Sequence, residues 1–490
     1  MASIIRDIRH LVKHTAIYGM ANMLGKAIGF LLIPLYTHYI PPADYGTLEI
    51  LDISINIIGM FVGLGLANSV ARFYYQVEAR EEKNQVVSSA VILLLGLTSL
   101  MLCLVLPFSE RLACLLFDNP QLGNYIKISL FTFALNAILE IPLTMIRARE
   151  QSLFFAGISL GRLALSLGLN IFFIVFLRLG ILGILYSGLI TSAFFSVGLA
   201  VWCIRECGLR FRYRLARQML LFGAPLIVNS AGMFIINFGD RYLLKANAGL
   251  EEVGIYSLGY KIGMGLIAFL IGQPFFLIWS CRRYSLIEEE NGVERYGRIF
   301  ILYTLLLLWI WLFIVGFSKE MITILAPASY GAAWRVLPLV AMGYVLRELA
   351  DFFRGAFMIK NKTYYTGAIT LAVSLYCLFS YLVFIPRYHA MGAAMATCST
   401  FLAMAVINGF FAVRVMPEIN YRFRRLIILF FCCGIASASL LFCNNLVDEQ
   451  WLRIIVKLTI IAVTIFLSLV LAFTREEKRS LIRSAMIILE

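Results

Sequence analysis

The chain has 490 residues, 61% hydrophobic and 14% charged, with a mean hydropathy of +0.87 and a formal net charge of +14. That composition excludes a soluble protein of this length, because no globular interior hides so much apolar surface. The predicted class is all-α: a polytopic membrane protein.

From the amino terminus, Met1–His14 carries Arg6, Arg9 and Lys13 and reads as a cytoplasmic, interfacial lead-in. It is not a cleavable signal, because the apolar run behind it has Lys26 in its middle and no small-residue cleavage site. Crossing a bilayer takes about 20 apolar residues. Fourteen runs of that kind begin near Thr15, Thr47, Val86, Asn124, Phe154, Ile181, Met219, Val253, Ile299, Val336, Tyr364, Met391, Leu426 and Leu452. Backbone groups taken out of water must bond within their own segment, so these runs are predicted to be helices. The alternating ten-residue segments of a membrane barrel are absent.

Four short patterns recur in the same order about 207 to 213 residues apart. Asn22-Met-Leu-Gly25 returns as Asn229-Ser-Ala-Gly232, and Asp44-Tyr-Gly46 as Glu252-Val-Gly254. Met145-Ile-Arg-Ala-Arg149 returns as Met358-Ile-Lys-Asn-Lys362. Arg178-x4-Gly183-x7-Thr191 returns as Arg387-x4-Gly392-x7-Thr400. A constant offset in fixed order points to a duplication, and repeats in a membrane protein point to transporter architecture. The expected layout is a lead-in at 1–14, a six-helix bundle at 15–204, a basic linker at 205–218 and a second, pseudo-symmetric six-helix bundle at 219–413. Two further transmembrane helices (414–473) and a cytoplasmic tail (474–490) complete it.

Orientation follows the basic residues. The termini and every second loop hold 27 of the 42 Lys and Arg, whereas the opposite loops hold 8. Both termini are therefore expected in the cytoplasm, and the positive charge marks topology and no nucleic-acid partner. Trp202, Trp279, Trp334 and Trp451 fall at expected interfaces. The longest loops, such as 107–123 and 280–298, are too short for a soluble domain. That argues against an enzyme that must hold a sugar acceptor outside the membrane. Ten scattered cysteines show no metal spacing, and no nucleotide-binding loop occurs.

Charges within the spans carry the functional signal, because each is costly there and must face a partner or water. They are Lys26, Arg162, Lys261, Arg347 and Arg354, with Asp52, Glu140 and Asp351 as the acidic counterparts. Arg347, Asp351 and Arg354 share one helix face by their spacing of four and three. Either these groups pair to fix helix register, or their basic excess lines a cavity for an anion such as a pyrophosphate. Asn22, one turn before Lys26, and its counterpart Asn229 are candidate lining amides; Asn56, Asn68, Asn136, Asn170 and Asn237 also lie in or at the edge of spans, where they either line the cavity or bridge helices. Asp52, Glu140 or Asp351 is the candidate for coupling transport to H+ or Na+, with no other cofactor expected. Pro34, Pro142, Pro225 and Pro274 are candidate bends.

The segment Phe30–Gly46 (FLLIPLYTHYIPPADYG) resembles the opening of the polysaccharide-transport flippases of the multidrug/oligosaccharidyl-lipid/polysaccharide exporter superfamily. Gly223-Ala-Pro225, Asp240-Arg-Tyr-Leu-Leu244 and Glu252-Val-Gly-Ile-Tyr-Ser257 agree with it. The resemblance implies an O-antigen-type (Wzx-like) flippase with two bundles around a cationic cavity. Such a protein moves undecaprenyl-pyrophosphate-linked oligosaccharide across the bacterial inner membrane by alternating access, for surface polysaccharide synthesis. Its implied partners are that lipid-linked substrate, membrane lipids and the polysaccharide polymerase machinery. A peptidoglycan lipid II flippase or a cation-coupled drug exporter is the alternative. Lipid II flippases typically carry arginine in the first span, where this chain has Lys26, and an antiporter would favour an acidic cavity.

Overall fold

The computed structural model of the chain describes residue 25 and residues 29–30, 32–63, 65–446 and 449–472. These are helical almost throughout, with no strand among the described residues. Ten helical runs among them are long and apolar enough to cross a membrane, which makes this an all-α, multi-pass membrane protein. Helices lie where hydropathy places the spans from Thr47 onward. The lead-in, the tail and most of the first expected span lie outside the described residues.

Some runs are two helices in sequence. Tyr364–Val415 spans 52 residues but breaks at His389 (φ 50°, ψ −124°), and Asp240–Met264 breaks at Gly249 (φ 84°, ψ 177°). Helix Ala333–Ile359 is as long as a span but too charged to pass on hydropathy alone.

Packing divides the chain between Ser257 and Leu258. In the first unit, helix Gly123–Ala148 packs chiefly on Ile181–Cys207. Leu139, Leu143, Ile146, Phe155, Ile158 and Leu199 interlock there, with Trp202 against them. Helix Tyr213–Phe238, which the sequence assigns to the second bundle, packs in this unit against Pro42–Gly63, Leu66–Tyr75 and Arg80–Val105. The unit also buries a charge pair. Arg241 Nη1 meets Asp240 Oδ1 at 2.6 Å and donates to the Asn237 carbonyl at 2.7 Å, while the Tyr256 hydroxyl donates to Asp240 Oδ2. A buried ion pair survives low dielectric only with such extra hydrogen bonds.

In the second unit, Ala333–Ile359 is the hub, packed on Tyr364–Val415 and on Gly292–Leu325. Bilayer hydrocarbon gives helices no hydrophobic reason to associate, so close backbone approach must supply contact. Gly259 and Gly263, four residues apart, provide it: a Cβ on Gly259 would come within 2.9 Å of the Ala333 carbonyl, and one on Gly263 within 3.2 Å of the Ala341 amide. Trp279, expected at an interface, is buried and stacks on Phe275 and Phe352 at 5.7 and 5.0 Å. The last helix, Gln450–Ala472, docks on Gly292–Leu325. Lys457 Nζ, fully buried, meets Glu320 Oε1 at 2.5 Å, and Trp309 Nε1 donates to Ser468 Oγ at 2.9 Å.

Two of the duplicated patterns mark the same local structure in both units. Glu150 (φ 58°) and Asn361 (φ 55°) turn the chain after the helices ending at Ala148 and Ile359. The Gln151 and Lys362 amides reach back to the Ile146 and Phe357 carbonyls at 3.1 and 2.7 Å. Gly183 packs on Phe173, and Gly392 on the Phe384 backbone, where each preceding helix doubles back.

Candidate functional site

The hub helix of the second unit repeats Tyr344, Arg347, Glu348, Asp351, Arg354 and Met358 at steps of three and four, so all six fall on one stripe. Opposite the stripe, the run from Asp240–Met264 passes through a π-helical stretch, Gly265–Gly272, before resuming as Gln273–Glu288. Such widened turns recur at functional sites. Pro274, a candidate bend, sits immediately behind it, at the second residue of the resumed helix. A cavity of about 390 Å³ opens between these elements.

Five charged groups line the cavity: Arg283, Arg347 and Arg354 against Glu348 and Asp351. Asp351 Oδ1 is 2.5 Å from Arg354 Nη2. Glu348 is 4% exposed and accepts a hydrogen bond from the Tyr303 hydroxyl at 2.7 Å. It fits because residue 272 is glycine: a Cβ there would collide with the Glu348 carboxylate. The Arg347 guanidinium lies 5.5 and 5.6 Å from the Tyr344 and Phe401 ring centres, a cation–π sandwich. Phe269, Phe276 and the Gln273 amide complete a lining of fixed charges, aromatic faces and one neutral donor and acceptor. Such a site can hold a polar, partly anionic group away from lipid.

Of the residues singled out from sequence, Arg347, Asp351 and Arg354 come together here. Lys261 is half-buried one turn before Met264, which lines the cavity. Arg162 belongs to the first unit, where it donates to the Asn136 side-chain oxygen, which Ser192 Oγ also reaches at 3.1 Å. Three helices meet at that amide. Asp52 is exposed on Pro42–Gly63. Glu140 is largely exposed and lies 3.9 Å from Arg147 on its own helix. Asn22 and Lys26 lie outside the described residues, as does the side chain of Asn229.

Sequence reasoning misses Glu348 and Arg283. Glu348 was legible, since it stands four residues from Tyr344 and three from Asp351 on the same stripe. Arg283 was not, because it falls in an expected loop at 280–298 that is helical to Glu288.

A sequence family described as "Polysaccharide biosynthesis protein" matches residues 11–273. A membrane protein of Haemophilus influenzae is 22% identical over 269 residues, 53% of this chain, and the match spans 62% of that relative's length. Among solved structures, a lipid II flippase, MurJ, in an inward closed conformation has a TM-score of 0.72 at 14% identity, covering 92% of this chain and 98% of that one. An inward-facing multidrug resistance MATE family transporter of the MOP superfamily has a TM-score of 0.63 at 16% identity, covering 81% and 95%. At these identities the structures establish a shared fold. The family match covers more than half of the sequence, and by it this chain belongs to the polysaccharide biosynthesis protein family.

Proposed function

We propose that the protein is a flippase that carries undecaprenyl-pyrophosphate-linked oligosaccharide from the cytoplasmic to the periplasmic leaflet of the inner membrane. The product would feed O-antigen, capsule or exopolysaccharide synthesis, with both termini cytoplasmic and a polymerase downstream. Membership in a polysaccharide biosynthesis family, on a fold shared with a lipid II flippase, carries this reading. The charged cavity supports it, because a head group crossing hydrocarbon needs fixed donors and charges to replace water. Glu348 and Asp351 are the carboxylates that line the cavity, so coupling to H+ or Na+ falls to them in this reading.

Depleting the protein and extracting lipid-linked intermediates tests the assignment. Accumulation of an oligosaccharide-linked polyprenyl pyrophosphate on the cytoplasmic leaflet is the expected result. Accumulation of lipid II instead would favour the peptidoglycan reading, and unchanged pools of both would overturn transport of either.

A further inference from the structure

The stretch after Cys207 reads from sequence as a basic linker, yet its backbone is clamped. Ser88 Oγ accepts from the Arg210 amide at 2.7 Å, Ser89 Oγ from the Arg212 amide at 3.1 Å, and Asn84 Nδ2 donates to the Glu206 carbonyl at 3.3 Å. Gly208 enters the segment at φ 72°, ψ −177°, a conformation that glycine alone adopts readily. Arg212 is extended at φ −116°, ψ 105°. Leu209 lies at a bend and Phe211 two residues on, and both are exposed beside Arg210 and Arg212. Tyr213 prolongs the apolar row into the next helix.

That row is open: Leu209, Phe211 and Tyr213 are 63%, 48% and 73% exposed. The charges beside it are unevenly used. Arg210 pairs with Glu81, and Glu206 is taken by Arg149 at 3.1 Å and Arg80 at 3.8 Å. Arg205, Arg212, Arg214 and Arg217 have no carboxylate partner among the described residues. The segment follows Ile181–Cys207, a helix long and apolar enough to span, at the end that the basic excess assigns to the cytoplasm, which puts it at the bilayer surface.

We infer that residues 208–217 form a strap that binds anionic phospholipid. Leu209, Phe211 and Tyr213 seat in the interfacial layer, where aliphatic and aromatic side chains are comfortable. Arg212, Arg214 and Arg217 hold the headgroup phosphates. The clamped backbone pays little ordering entropy on binding. A bilayer, unlike a protein partner, is already within reach of this row, and its negative cytoplasmic leaflet complements the unpaired arginines. The inference is independent of what the protein transports.

In nanodiscs, Phe211→Trp adds one emitter to the six native tryptophans and is read as the difference from the parent protein. Bromine on the upper acyl chain should quench that emission, more deeply in an equal mixture of phosphatidylcholine and phosphatidylglycerol than in phosphatidylcholine alone. With Arg212→Gln and Arg214→Gln together, that extra quenching in the phosphatidylglycerol mixture should be largely lost at low salt, falling toward the phosphatidylcholine value. Emission reached by aqueous iodide and untouched by brominated lipid overturns the strap. So does quenching that ignores headgroup charge. Tyr213→Trp, held by the following helix, serves as a second reporter should residue 211 disturb the segment.

Discussion

Gly46 and Gly254 lie backbone against backbone, and the contact is reciprocal. A Cβ on either glycine would come within 3.1 Å of the other's amide nitrogen. Each would also strike the carbonyl four residues before its counterpart, Leu250 for Gly46 and Pro42 for Gly254. These are the glycines of the duplicated Asp44-Tyr-Gly46 and Glu252-Val-Gly254 patterns, so the repeat is also a self-complementary contact. Gly46→Ala and Gly254→Ala should each cost about 1–3 kcal/mol through overpacking, by similar amounts. Gly157→Ala, with nothing within 4 Å, should be neutral or slightly stabilising. Thermal unfolding of the purified protein in detergent reads all three, and a tolerated Gly46→Ala would refute the tight contact.

The Lys457–Glu320 pair should hold the last helix in place. Lys457 is fully buried and Glu320 is 26% exposed, so removing one partner strands a partly screened charge, at a cost on the order of 1–3 kcal/mol. Lys457→Met alone should lower abundance and melting temperature, while Lys457→Met with Glu320→Gln should recover much of the loss. A double variant as unstable as the single one would show that the pair contributes no coupling.

The cavity arginines are separable by substitution. Arg354→Gln removes the guanidinium that Asp351 meets at 2.5 Å and should destabilise, with Asp351→Asn restoring abundance. Arg347→Ala removes a cation that lies against the Tyr344 and Phe401 rings and lines the cavity, and should impair export in a protein that still inserts. A lost charge-assisted hydrogen bond to an anion is worth about 1.5–3 kcal/mol, or roughly ten- to a hundredfold in affinity. Lys261→Ala tests the neighbouring turn in the same assay, and Lys261→Arg should retain more function because charge is kept. Wild-type export from well-expressed Arg347→Ala and Lys261→Ala proteins would remove both from the binding role.

Topology is open to reporter fusions. Fusions after Arg217 and Arg479 should report cytoplasm, and one within 107–123 should report periplasm. A periplasmic carboxyl terminus would contradict the basic-residue asymmetry and the even span count.

The class and the helix positions were legible because hydropathy is a local signal. Gly183 and Gly392 were legible as members of a repeat, while the doubling back they share showed only in the packing. Arg347, Asp351 and Arg354 were legible because spacing alone fixes a helical face. Arg283 was hidden, since nothing near Ser280 tells whether the helix stops or runs on to Glu288. The role of Arg162 was equally hidden: its amide partner Asn136 is 26 residues away, and only folding brings them together. The π stretch has no composition of its own, being as apolar as the spans around it.

That stretch has a consequence for the reading frame of the helix. A π turn carries about one residue more than an α turn, so the residues after Gly272 are out of phase by about 100° with an uninterrupted α-helix. Deleting any one residue of 265–271 would let the segment relax to α geometry while Gln273, Phe276 and Arg283 kept their phase toward the Ala333–Ile359 stripe, because an α segment one residue shorter sweeps about the same angle. Inserting one residue after Gly272 would instead rotate all three together by about 100° off that stripe. The lesion would be one of phase, invisible to composition.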